Sequence, residues 1–283
     1  WDVHGASRSA SGGPQLHAVD LTVEGSLTAL CDSIRPDVVV NAAAERRPDR
    51  VSEEDEAVVR LNVGLCGELG RACKSVGAYA VQLGTDYSFD GSSPPYRPGD
   101  ATSPIQAYGR LKVAGEEALL REAADCAVVL RVPVLYGPVR QLGESSITSL
   151  ARPLLHGGAV GPVDDWSVRY PTYTTDVANV IVGLSSRYDR DPPTGVLHFS
   201  SDERREDGTP YTKYTLTLLI AEALGVPVKG IEPVPEPPAG EPRPRDCHLD
   251  SSELEDALQG EAITRTPLRE GLKAALRPFL QGA

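Results

Sequence analysis

Strand and helix signals that alternate at the spacing of βαβ units predict an α/β fold, a doubly wound parallel sheet with helices on both faces. Three stretches carry this prediction. Val38, Val39 and Val40 form a continuous apolar run, the pattern of a strand covered on both faces. AYAVQL (Ala78 to Leu83) and CAVVLRVPVLYG (Cys126 to Gly137) read as two more strands of the same kind. Between the first two, Ser52 to Val76 crowds acidic residues into an opening turn and then spaces apolar residues by three and four, which predicts a helix.

The remaining elements follow in order. WDVHGAS reads as a short strand leaving into a small-residue loop, SRSASGGP, and a helix then ends at the proline before the valine run. From about Glu144 the pattern loosens into a helix (Ser146 to Leu155), a Gly-rich turn and a helix near Asp176 to Ser185. A strand (GVLHFS) and a helix opening near Thr212 come next. The segment Glu232 to Arg245 is too proline-dense for a helix or a central strand and is expected to be a loop, ordered in its own right or covering a ligand or partner. Short and long helices, Ser251 to Leu258 and Pro267 to Leu280, close the chain. The expected division is a first part over residues 1–143 and a smaller mixed part over 144–283, with chain returns to the first.

Composition narrows the function. A chain of 283 residues with 40% hydrophobic residues can bury a large core. Its formal net charge of -12 repels phosphate backbones and anionic membranes, so neither nucleic acid nor a membrane is an expected partner. No apolar run approaches the roughly 18 residues that span a bilayer. The five cysteines and five histidines are scattered without metal-ligand spacing, so reduced thiols, a cytosolic location and no metal are expected.

The chemistry concentrates between Gly84 and Lys112. Tyr108 and Lys112 stand at i and i+4, hence on one helical face, and an ammonium beside a phenol favours the phenolate. Thr85 ends a strand where open α/β sheets bind ligands.

These residues, with TDYSFDG from Thr85 to Gly91, resemble the Rossmann-like extended short-chain dehydrogenase/reductases, in the branch of dTDP-4-dehydrorhamnose reductase. A closer resemblance is to the beta regulatory subunits of methionine adenosyltransferase. It rests on AAERRPD (Ala43 to Asp49), PPYR, LRVPVLYG, TKY, RPRDCHLDSSELE and RTPLREGLKAALRPFL. The resemblance implies a smaller C-terminal substrate-binding part, NADP(H) as cofactor, the catalytic subunit of methionine adenosyltransferase as partner and a nucleotide-sugar as possible ligand. It places the adenosine side on Ser7, Arg8 and Ser9, with Arg8 toward a 2'-phosphate, and adenine on Asp20 and Leu21. Ala42 and Arg46 would contact the cofactor, Leu135 would lie near the nicotinamide and Lys112 would grip its ribose. If the chemistry runs, Tyr108 protonates a carbonyl oxygen as hydride arrives, Lys112 lowers the phenol's pKa and Thr85 bonds the same oxygen. The alternatives are a non-catalytic regulator, an NADPH-dependent keto-sugar reductase and, third, a sugar-nucleotide epimerase or dehydratase.

The pattern breaks at its start. The family opens with a strand and a G-x-x-G-x-x-G turn that seats the pyrophosphate, whereas Gly5, Gly12 and Gly13 have other spacing. With that first strand missing and no Met in the chain, the expectation is a truncated version of a longer chain, with weak or absent dinucleotide binding and unpaired sheet edges.

Overall fold

The structure is a computed structural model that describes residues 1–9, 13, 15–47, 51–258 and 263–280. Ala10, Ser11, Gly12 and Pro14 of the early loop, and Pro48 and Asp49 of the AAERRPD segment, lie outside the described residues. The chain divides into two compact units. The first comprises residues 1–84, 107–130 and 184–196, and the second 85–106, 131–183 and 197–283. The chain passes back into the first unit with residues 107–130 and 184–196, the latter beyond residue 143.

In the first unit, β1 (Gly5–Ser7) and β2 (Leu16–Ala18) form a parallel pair, followed by α1 (Ser26–Ile34) and β3 (Val38–Asn41). The expected long helix is one helical run in three pieces: α2 (Glu56–Val59), a π-helical turn (Arg60–Gly64) and α3 (Leu65–Val76). It begins later than Ser52. The Asp55 carboxylate accepts hydrogen bonds from the amides of Ala57 and Val58 and so fixes the start there. β4 (Tyr79–Thr85) runs parallel to β3, with Asn41 opposite Gln82 and their side-chain amides hydrogen-bonded at 2.8 Å. α4 (Ala107–Ala123) and β5 (Ala127–Val132) follow.

A four-stranded sheet has the order β10 (Gly195–His198), β5, β4, β3, so β3 is its edge, and β1 with β2 forms a separate sheet. The edge position corrects one expectation. Val40 is 44% exposed, not covered on both faces, because a continuous valine run marks β propensity and does not reveal whether a neighbour sits beyond the strand. Leu27, Leu65, Leu69, Leu119 and Val129 form the core of this unit, each worth about 1.5–3 kcal/mol when fully buried. Its helices approach closely. A Cβ at Gly115 of α4 would stand 2.3 Å from the carbonyl oxygen of Asn62, so only glycine fits there.

The second unit is built of short paired strands. β6 (Leu135–Tyr136) lies parallel to β9 (Thr172–Tyr173), and β7 (Gly161–Asp164) parallel to β12 (Ile231–Val234). β8 (Val168–Arg169) runs antiparallel to β11 (Tyr211–Thr212). Pro133, unable to donate to a ladder, separates β5 from β6 in what the sequence presents as one strand. Only the first residues of the proline-dense segment join a strand, β12, in a two-stranded sheet; the rest has neither helix nor strand. α5 (Ala151–Leu155), preceded by a tight turn at Thr148–Leu150, precedes α6 (Thr174–Ser185). α7 (Lys213–Leu224) is capped at its N-terminus by Thr212 and Thr215, which bond each other's backbone. α8 (Ser252–Ala257) and α9 (Leu268–Leu280) end the unit, whose core includes Tyr136, Ile147, Leu216, Ile220, Leu272 and Leu276.

Candidate functional site

In the first unit the site is built on α4. Lys112 is 5% exposed, and its Nζ donates to the carbonyl oxygen of Leu83 at 2.7 Å, two residues before β4 ends. Burial pulls its pKa down from the usual lysine range, while nearby Cys66 and Glu116 act the other way. Tyr108 lies one turn earlier, half-buried against Val51, Val58 and Leu111. The helix with both residues on it is as expected.

Behind that helix stands a polar layer. Asn62, buried in the π-helical turn, accepts from the amide of Glu45 at 2.9 Å and donates to the same residue's carbonyl at 3.1 Å. It therefore ties the loop after β3, where Ala42 and Arg46 are exposed, to the helix that Gly115 touches. Extra width in a π turn lets one side chain leave the regular helical course, and such turns recur at functional sites. Glu68 on α3 does comparable work at α1. Its carboxylate accepts from the amides of Gly25 and Thr28 and pairs with Arg60. Burial pushes that carboxyl's pKa up, but the two amides and Arg60 outweigh burial and hold it below the usual range.

The proposed adenosine residues sit on the same unit. Ser7 ends β1, Ser9 is exposed, and Leu21 packs on the core. Arg8 and Asp20 are brought together: Nη2 of Arg8 donates to Oδ2 of Asp20 at 3.0 Å. Both partners are exposed, with 76% and 38% of their side-chain surface open. Hydrogen bonds from the Thr22 hydroxyl and amide, and then from Arg8, hold the Asp20 carboxyl down at about 2.

Thr85 belongs to the second unit. Its Oγ1 accepts from the amide of Tyr87 at 3.2 Å and donates to Oδ1 of Asp86 at 3.2 Å, capping the turn Asp86–Ser88. Protein packed around Asp86 pushes its carboxyl up to about 7, opposed by the Arg169 guanidinium and the Thr85 hydroxyl. When that carboxyl is ionised, the Thr85 proton is directed at it, and the hydroxyl offers a ligand only a lone pair. Leu135 is also in this unit, on β6, with its carbonyl accepting from Ser145 Oγ at 2.8 Å. Sequence reasoning missed Asn62, Glu68 and Asp86. The first two were polar residues inside an apolar helical pattern, which is a usable signal; Asp86 was inside a quoted motif but overshadowed by Thr85.

Among the described residues, no group of three or more His, Cys, Asp or Glu side chains is placed to hold a metal ion, and no helix is long and apolar enough to cross a membrane.

The chain is similar to several known proteins. The chain is 38% identical over 282 residues to methionine adenosyltransferase 2 subunit beta of Xenopus tropicalis, covering 99% of this chain and 81% of that one. The mouse protein of the same name is 37% identical, over 94% of this chain and 78% of its own length. A dTDP-4-keto-6-deoxy-D-glucose reductase of Streptomyces niveus is 36% identical, over 93% and 85%. A solved structure of a hypothetical dTDP-4-dehydrorhamnose reductase from Sulfolobus tokodaii superposes with a TM-score of 0.75 at 26% identity, over 93% of this chain and 88% of that one. One from Bacillus anthracis, in complex with NADP, shares the fold with a TM-score of 0.78 at 22% identity, over 92% and 86%. Residues 2–280 match the RmlD substrate binding domain, and the chain belongs to that family.

Proposed function

We propose that this chain is a non-catalytic regulatory subunit that binds the catalytic subunit of methionine adenosyltransferase and modulates S-adenosylmethionine synthesis. The observation that carries the reading is identity of 38% to a subunit of that name, sustained over 99% of this chain. Conversion of a reductase fold to a regulator is physically reasonable, since a fold can keep a binding site without its chemistry.

NADP(H) is the proposed ligand of the first unit. The donor set fits the adenosine end: an exposed guanidinium flanked by Ser7 and Ser9 suits a phosphate monoester, which would have to draw Arg8 away from Asp20. Lys112 supplies a fixed ammonium for a ribose hydroxyl.

A second reading, reduction of a dTDP-4-keto-sugar, is favoured by one specific feature, the retained Thr85, Tyr108 and Lys112. When bound, NADPH would supply hydride. Tyr108 would protonate the carbonyl oxygen and Lys112 would favour the phenolate that results.

Two measurements decide between the readings. Mixing the full chain with a methionine adenosyltransferase catalytic subunit at micromolar concentration is expected to give a co-eluting complex with altered kinetics; failure to associate rejects regulation. Oxidation of NADPH that needs a dTDP-4-keto-sugar and is lost in Tyr108→Phe would establish reduction instead.

A further inference from the structure

We propose that His4 and His17 form a two-imidazole site for a divalent transition cation, with Zn2+ as the reference ion, on one face of the β1–β2 pair. In the parallel register Ala6 stands opposite His17, and side chains two residues apart share a face, so His4 and His17 lie on the same side. Nδ1 of His4 is 3.0 Å from Nε2 of His17. The ring planes are 17° from parallel and the centroids 5.3 Å apart, so the rings meet nearly end to end. Two nitrogens bound tetrahedrally to one Zn2+ at roughly 2.0–2.1 Å are themselves about 3.3 Å apart, so both rings must turn, by about 35° each, to bring lone pairs that now face each other onto one ion.

Asp2 supplies the outer layer. One of its carboxylate oxygens accepts from the Gln15 side chain, and the other lies 3.7 Å from Nε2 of His4, on the edge of the ring turned away from His17. A carboxylate there favours the tautomer protonated at Nε2 and leaves the Nδ1 lone pair for the cation. His17 then gives up its hydrogen bond to His4 as its proton passes through solvent from Nε2 to Nδ1. No charge is transferred and no covalent bond to carbon changes. Two protein ligands leave the other positions to water, so the ion is exchangeable.

The ligand chemistry sets the preference. Imidazole suits Zn2+, Cu2+ and Ni2+, whereas Mg2+ and Ca2+ prefer oxygen. A formal net charge of -12 raises the local concentration of any cation.

Calorimetric titration of the full chain with ZnCl2 at pH 7.5 tests the site, with MgCl2 as control. The expected result is one ion per chain, binding lost in both His4→Ala and His17→Ala, and affinity weakened about 10-fold in Asp2→Asn. Acidification should weaken binding as protons compete for the imidazoles. Circular dichroism of each variant separates loss of the site from loss of fold, and a thermal shift with Zn2+ that disappears in His17→Gln gives a second readout. Absence of Zn2+ binding overturns the proposal, as does binding that survives either alanine variant. Equal affinity for Mg2+ overturns it too, as does half an ion per chain, which would mean a metal shared between two copies.

Discussion

Two arginine–carboxylate pairs in the first unit are chemically alike and physically opposite. Arg60 and Glu68 are enclosed, with 18% and 3% of their side-chain surface open, and Glu68 also receives two amides from the start of α1. Arg8 and Asp20 stand in solvent, where water and salt screen them and little is lost when they part. The enclosed pair is structural because nothing replaces a lost partner there. The exposed pair is available to a ligand for the same physical reason in reverse.

The contrast can be broken at its strong end first. Glu68→Ala strands the Arg60 guanidinium and the α1 amides, and urea unfolding is expected to show a loss of about 3–5 kcal/mol. A loss below that of an ordinary surface change would mean that water reaches the pair. Next, Asn62→Ala removes both bonds to Glu45 and should cost about 1–3 kcal/mol, with faster amide exchange at Glu45 as the local signature.

At the weak end, Arg8→Ala should shift the unfolding midpoint least, and added salt should erase the difference. Asp20 refines this point. Its carboxyl is held down at about 2 against the ordinary 3.8, so its contribution is present above pH 4 and disappears as pH falls through 2. Because Thr22 contributes more than Arg8, Thr22→Val should raise the NMR-measured Asp20 pKa further than Arg8→Ala does. The reverse order would assign the control to the guanidinium.

How much of this was legible follows from how local each cause is. The helix carrying Tyr108 and Lys112 could be read from spacing alone, since i and i+4 share a face in any helix. The helix opening near Thr212 was readable too, though its cap with Thr215 came only from the structure. The partners of Glu68 were not, because the amide it captures at Thr28 lies 40 residues away in the chain. Val40 misled because strand propensity is a property of the residue, while exposure depends on which strand lies alongside. Asp86 could be seen as a carboxylate next to Thr85, but its raised pKa comes from enclosure that outweighs the pull of Arg169, and a linear reading supplies neither.

The five passages of the chain between its units have a practical corollary for anyone dissecting the gene. No single stop codon or start site isolates either unit as a contiguous reading frame. A nick at any of the three inner crossings leaves fragments that each carry pieces of both. Separate study of the halves would therefore call for circular permutation or stitched segments, not simple deletion.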